Sequence, residues 1–215
     1  MDRSILKTRT DPELRKHFIH KGKGTKETTS ELPSRIIRER EQAHDQVLKH
    51  LAVSLKGFRP KRVLDVGTGY GTNRKFLADR FGRLSHVWSI DASPGIVREV
   101  KRRMKEHRYS RHVIVKQADA EQMPFKEAYF DLVVSLFSLH HLSNPGHGLS
   151  EMERILVPGG RLIIADWTRG AAKQLKLHKQ SEIPTPKLAV DRLKRLGDHT
   201  QTRLRPYWYC VEAVK

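Results

Sequence analysis

Disulfides, a membrane span and a balancing share of acid are all missing from this sequence. A single cysteine, Cys210, stands in 215 residues, so no internal disulfide can close and no structural zinc site can be built from thiolates. No apolar run approaches the roughly 20 residues that a spanning helix needs, and the first residues lack the apolar core of a secretory signal. Together these absences predict a soluble, cytoplasmic protein that makes no use of a membrane. Acid is scarce: 24 Asp and Glu face 42 Lys and Arg, for a formal charge of +18 and a pI near 10.3. Counterion release makes a polyanion the natural partner of such a chain, nucleic acid ahead of a membrane surface. Histidines such as His17, His20, His44 and His50 fall on polar helical stretches without a paired acidic ligand, and no metal site is expected. The charged fraction, 31%, exceeds the roughly 25% average of soluble domains, as in heat-adapted proteins.

The length suits one well-buried domain with extensions. Residues 1–33 hold few apolar side chains and many cations and read as a basic N-terminal arm ahead of a domain at 34–215. Inside the arm, Asp11-Pro12-Glu13 has the form of a helix start. From 34 to 55, Ile37, Val47, Leu48, Leu51 and Leu55 share most of one stripe, which predicts a helix closed by Gly57. Short apolar strands then alternate with helical stretches: strands at 63–66, 86–90, 113–115, 130–136 and 161–165, helices at 73–81, 94–107 and 144–156, with a turn at Pro158-Gly159-Gly160. This alternation predicts a Rossmann-like, doubly wound α/β sheet whose ligand site lies at the carboxyl ends of the strands. A basic, partly helical segment at 168–183 follows, then a last helix opened by Thr185-Pro186 and stopped by Gly197, then strands at 200–204 and 207–214. No internal repeat is visible.

The most informative stretch is Val63-Leu64-Asp65-Val66-Gly67-Thr68-Gly69-Tyr70-Gly71. A strand that breaks into glycines lets its backbone come within contact distance of a ligand, because a Cβ at Gly67 or Gly69 would stand where the ligand must lie. The dinucleotide fingerprint G-x-G-x-x-G is the nearest competitor, but Thr72 stands where its last glycine belongs. Asp91, at the tip of the second strand, is placed to accept hydrogen bonds from a ribose diol.

The pattern Asp-x-Gly-x-Gly-x-Gly resembles motif I of the class I S-adenosylmethionine-dependent methyltransferases. Asp91, Asp119-Ala120, the strand from Phe130 to Val134 and Pro158-Gly159-Gly160 follow in the same order. On these features residues 34–215 are similar to the type 11 branch of that class, the branch that includes quinone-biosynthesis C-methyltransferases. The resemblance implies a seven-stranded sheet ending in an antiparallel hairpin, and S-adenosylmethionine as cofactor. It implies that the backbone of Gly67, Thr68, Gly69 and Gly71 runs along the methionine and ribose, with Asp65 beneath near the amino end. Asp91, with Ala92 beside it, would bind the ribose hydroxyls; Asp119 would accept from the adenine amine while the Ala120 amide donates to the ring. Carboxylates suit this ligand, which carries a sulfonium and an ammonium group.

The acceptor pocket is expected after the fourth strand, from Ser135, Phe137, Ser138, His140 and His141. A base could stack on Phe137; Ser135, placed on both the cofactor and acceptor sides, could accept a hydrogen from an exocyclic amine. His140 could serve as general base, or the His-His-Leu run could only shape the loop. Amino-methyltransferases of nucleic-acid bases usually show Asp/Asn-Pro-Pro-Tyr where this chain has Ser-Leu-Phe-Ser, a departure that counts against amine methylation. The overall make-up nonetheless looks like archaeal enzymes that methylate cytosine N4 in small-subunit ribosomal RNA. The expectation is therefore a monomeric methyltransferase of structured RNA, ribosomal or transfer, acting on a base nitrogen. Its phosphate grip would come from the arm cations Arg15, Lys16, Lys21, Lys23 and Lys26 and from Arg169, Lys173 and Lys176. Two alternatives stand beside it: a small or lipid-like acceptor, as in the quinone branch, and an RNA-binding assembly factor that keeps the pocket without turnover.

Overall fold

A computed structural model describes residues 33–69, 71–82, 84–104, 112–175, 177, 183–197 and 199–215. The helix start expected at Asp11 and the arm cations lie outside the described residues, as do Tyr70 and Lys176. In chain order the elements are α1 (Ser34–Ser54), β1 (Arg62–Val66), α2 (Thr72–Phe81), β2 (His86–Asp91), α3 (Pro94–Met104), β3 (Val113–Gln117), β4 (Phe130–Leu136), a 3₁₀ turn (Leu139–His141), α4 (Pro145–Ile155), β5 (Leu156–Trp167), α5 (Arg169–Gln174), α6 (Pro186–Leu193), β6 (Thr200–Leu204) and β7 (Trp208–Val214).

The strands form one seven-stranded sheet in the order β3-β2-β1-β4-β5-β7-β6. The pairs from β3 to β5 are parallel, and β7 runs antiparallel to both β5 and β6. The order reverses between β1 and β4, which makes the carboxyl ends of β1, β2 and β4 the crevice of a doubly wound sheet. Because β6 is antiparallel to β7, it runs with β5, and its last residue reaches the same edge as the crevice.

Each central strand is buried on both faces, and alternation splits its side chains between two cores. Val63, Val87, Leu132, Val134 and Ile163 pack under α1, α2 and α3; Leu64, Val66, Val133, Leu162 and Ile164 pack against α4 and α6. Helix α1 is anchored by more than its apolar stripe, since the buried Arg40 guanidinium donates from Nε and Nη2 to the Leu175 carbonyl at 3.0 and 2.5 Å. That contact ties α1 to the chain just past α5.

Three local differences from the sequence reading have physical causes. Pro158-Gly159-Gly160 does not precede the fifth strand but lies inside it, as a bulge that shifts the β4–β5 register between Phe130 and Leu132. Backbone bonds between Gly159, Gly160 and Lys215 hold this bulge against the chain end. Helix α6 stops at Leu193, and Arg195 and Leu196 donate three residues back to Arg192 and Leu193, so the last turn tightens to the 3₁₀ form before Gly197. Of the basic segment at 168–183, the described helix is α5 alone, capped by the Thr168 side chain accepting from the Ala171 amide.

Candidate active site at the carboxyl edge of the sheet

Three hydrogen-bonded layers shape the turn after β1. The amides of Gly67 and Thr68 both donate to the Ile90 carbonyl at 2.9 Å. Beneath them, Thr68 Oγ1 and Ser89 Oγ lie 2.6 Å apart, and Ser89 donates to Asp65 Oδ2 at 2.7 Å. From above, the Gly69 amide donates to Asp91 Oδ2 at 3.0 Å and the Ser93 amide to Asp91 Oδ1 at 2.9 Å, so the Asp91 carboxylate is held by backbone on both oxygens. Gly67, Gly69 and Gly71 have φ of 90°, 47° and 90°, in the left-handed region that favours glycine. The demands on the first two differ. A Cβ on Gly67 would stand 2.4 Å from Ser138 Cβ, whereas a Cβ on Gly69 would enter open space.

Asp65 is wholly buried, and its Oδ1 has no hydrogen-bond partner among the described residues. Burial pushes its pKa up to about 7, against the opposing Ser89 hydrogen bond and the charge of Arg74, and with some reinforcement from Asp91. An orphaned carboxylate oxygen beside an open glycine turn fits a ligand with a cationic end, which is what S-adenosylmethionine presents. On the adenine side the geometry is plainer. Asp119 is exposed and its Oδ1 accepts the Glu121 amide at 2.8 Å, while Ala120 is buried in the α4-side core and Ala92 is exposed.

The turn after β4 carries the expected acceptor residues, but not with one orientation. Ser135 is fully buried, its Oγ 2.7 Å from Ser138 Oγ, and Ser138 donates to the Val66 carbonyl at 2.8 Å. This bolts the β4 turn to the glycine turn. Phe137 has φ 55°, a rare conformation for a residue with a side chain. Its ring lies in the core, 4.3 Å from the Trp167 ring centroid and 5.4 Å from that of His44. His140 is buried, with Nδ1 2.6 Å from Asp166 Oδ1, and its own amide donates to Asp166 Oδ2 at 2.9 Å. The Trp167 amide donates to Asp166 Oδ1 at 2.7 Å, so Asp166 is clamped on both sides. An Nδ1–H donated to Asp166 makes Nε2 the lone-pair nitrogen, the form a general base requires. His141 is exposed, its ring 4.0 Å from that of His140.

Several residues that support this edge were not among the expected site residues. Asp166 is one, and its signal was a carboxylate at a strand's carboxyl tip, the same signal that marks Asp91. Asn73, on the first turn of α2, links His44 to the end of β4: its Oδ1 is 2.8 Å from His44 Nε2 and its Nδ2 donates to the Leu136 carbonyl at 3.3 Å. Burial lowers the His44 pKa to about 4 against the Asn73 hydrogen bond. Glu121 accepts the Ser143 and Asn144 amides at 2.7 and 3.1 Å, joining the loop of Asp119 to the loop of His141. His50, expected to lack an acidic neighbour, has one. Its Nε2 is 2.6 Å from Glu212 Oε1, and His50, Cys210 and Glu212 have potential ligand atoms within 4.8 Å of one another. Ser54 and Arg161 also bond Glu212, so the cluster is a hydrogen-bonded polar network that joins α1, β5 and β7.

Residues 64–164 match the model of a protein family described as a methyltransferase domain. Among curated proteins, the chain is similar to the ubiquinone/menaquinone biosynthesis C-methyltransferase UbiE of Laribacter hongkongensis, 31% identical over 125 residues that cover 58% of this chain and 50% of that protein. It is similar to the UbiE protein of Paraburkholderia phymatum at 30% identity over 168 residues, covering 78% of this chain and 65% of that one. The chain thus spans between half and two thirds of the length of these relatives. Among solved structures, a SAM dependent methyltransferase from Aquifex aeolicus aligns with a TM-score of 0.64 and 24% identity, covering 79% of this chain and 87% of that one. That likeness is one of fold: the mixed seven-stranded sheet with its β6–β7 hairpin is the class I methyltransferase architecture. The glycine turn and the orphaned Asp65 both lie inside the stretch, residues 64–164, that matches the methyltransferase-domain model.

Proposed function

We propose that the protein transfers a methyl group from S-adenosylmethionine to structured RNA, ribosomal or transfer, at a base nitrogen such as cytosine N4, the reaction of the archaeal ribosomal RNA enzymes that its composition resembles. The formal charge of +18 carries the choice of acceptor. It does not reside in the arm: residues 1–33 contribute 8 of the 42 basic and 5 of the 24 acidic side chains, so most of the excess is on the domain. The family match, residues 64–164, takes in both the glycine turn and the turn after β4, and its description names no acceptor.

In this reading Asp65 faces the ammonium end of the cofactor, Asp91 the ribose, and Asp119 with the Ala120 amide the adenine. When bound, S-adenosylmethionine supplies an electrophilic methyl group on a sulfonium. The remaining task of the chain is to hold the acceptor in line and to take up the proton its nitrogen loses. Ser135 and Ser138 fix the distance between the β1 and β4 turns, and His140 receives the proton at Nε2 while Asp166 holds the ring. Phe137, with its ring in the core, sets the path of the turn.

A second reading has its own support, because the curated relatives are named as quinone-biosynthesis C-methyltransferases. It gives the site a small, aromatic or lipid-like acceptor. Incubation with tritiated S-adenosylmethionine, total RNA and a lipid extract separates the two. Label in RNA supports the first reading, label in the lipid fraction alone supports the second, and cofactor binding without label in either leaves the non-catalytic assembly factor.

A further inference from the structure

The hairpin that closes the sheet brings cations to the edge where the site lies. Strand β6 is the outer strand, Thr200–Leu204, and its residues from Gln201 onward are exposed. Since β6 runs with β5, its end and the turn that follows, Arg205-Pro206, sit at the carboxyl edge. Register places them near the His140–Asp166 pair: Leu204 pairs with Tyr209, and Tyr209 pairs with Asp166. Two strand spacings put Leu204 roughly 10 Å from Asp166. The turn is fixed to the start of α5, where Thr168 donates from Oγ1 to the Pro206 carbonyl at 2.7 Å and from its amide to the Tyr207 carbonyl at 2.9 Å. Arg169 therefore stands beside the hairpin tip.

Among the described residues, these arginines lack the carboxylate partners that several others have, as do the exposed Arg59, Arg98 and Arg195 away from the hairpin tip. Arg154, Arg161 and Arg192 each lie within ion-pair distance of a glutamate. Arg169, Arg203 and Arg205 have no carboxylate at that distance among the described residues; Arg169 and Arg205 donate only to backbone carbonyls, of Ile183 and Leu204. Leu204, between two of them, is 60% exposed. Guanidinium groups without a carboxylate partner, gathered at one end of the candidate active-site edge, complement a backbone of phosphates.

We propose that the β6–β7 hairpin tip, with Arg203, Leu204 and Arg205, and with Arg169 beside it, grips the phosphate backbone of the RNA acceptor and leads the strand into the methylation pocket. This rests on the RNA reading above. The full-length protein is titrated with an unmodified small-subunit ribosomal RNA transcript across a salt series, as wild type, as R203Q/R205Q, and as K56Q/K61Q, which removes the same charge from exposed lysines at the opposite edge. Loss of two phosphate contacts should lower the log–log salt slope by about 1.4 to 1.8 in R203Q/R205Q only, with S-adenosylmethionine affinity and circular dichroism unchanged. A wild-type slope in R203Q/R205Q, or an equal drop in K56Q/K61Q, overturns the hairpin surface and leaves the RNA reading standing. An unchanged slope accompanied by aggregation of R203Q/R205Q assigns these arginines instead to guarding an edge strand. Absence of salt-dependent RNA binding by the wild type, or binding only to phosphatidylglycerol vesicles, overturns both.

Discussion

Asp166 and Gly67 do their work through contacts that cross from one strand to the next. Asp166 accepts from His140 Nδ1, from the His140 amide and from the Trp167 amide, so it fixes both the tautomer and the ring plane of His140. Asp166→Asn should lower kcat by roughly a hundredfold, leave the KM for S-adenosylmethionine near its wild-type value, and displace the acidic limb of the pH–rate profile. A purely structural carboxylate would lower thermal stability and leave that limb in place. Gly67 and Gly69 separate stability from binding. Gly67→Ala combines a φ of 90° with a Cβ 2.4 Å from that of Ser138, and should cost about 2 kcal/mol or more in urea unfolding. Gly69→Ala meets no neighbour, so it should cost only about 1 kcal/mol in stability and show its main effect in calorimetry with S-adenosylmethionine. The distinction rests on which turn packs against which, and the spacing of glycines in the sequence carries no trace of it.

At the level of elements, helix α1 holds the glycine-turn face of the sheet without a side-chain N-cap of its own. Tertiary contacts must supply its stability, and these are the buried stripe of Val47, Leu48 and Leu51, His44 against Phe137, and Arg40 on the Leu175 carbonyl. Arg40→Ala removes two hydrogen bonds from a charged donor, which should cost about 2 kcal/mol and lower Tm by roughly 4 to 8 °C. Faster amide exchange is expected at Leu175 and Leu177, which bond back to Ala171 and Ala172. The helix itself was legible from its apolar spacing, and so was the run of parallel strands, because strands buried on both faces read as continuous apolar segments. The Pro158-Gly159-Gly160 bulge was legible only as a turn, since its enclosure in β5 depends on Gly159 and Gly160 meeting Lys215 at the far end of the chain.

For the molecule as a whole, two buried groups give opposite pH dependences. Asp65 has a folded pKa of about 7, above its ordinary 3.8; its contribution to stability is full below the lower value and is lost as pH rises through the upper one. His44 has a folded pKa of about 4, below its ordinary 6.5; its contribution is full above the upper value and is lost as pH falls through the lower one. Between about pH 4 and 6.5 the two slopes offset each other. Asp65→Asn removes one of them, so its urea midpoint should climb with pH across that range more steeply than the wild type's. Saturating S-adenosylmethionine should stabilise the wild type more at pH 8 than at pH 6, because its cationic end favours ionised Asp65; a ligand-induced Tm shift that is equal at both pH values would contradict the placement of that carboxylate at the cofactor.

The sequence alone determined the class of fold, the order of its elements and the position of the glycine turn. Each follows from local signals: apolar runs of strand length, helical stripes, and glycines just past a carboxylate-bearing strand. Only the tertiary structure decided the pairing of His140 with Asp166, the contact of Ser138 with Gly67, the meeting of His50 with Glu212 and the arrival of Arg203 and Arg205 at the active edge. Those relations join residues far apart in the chain through strand register and sheet order, and the spacing of residue types within a segment does not encode which segment will lie beside it.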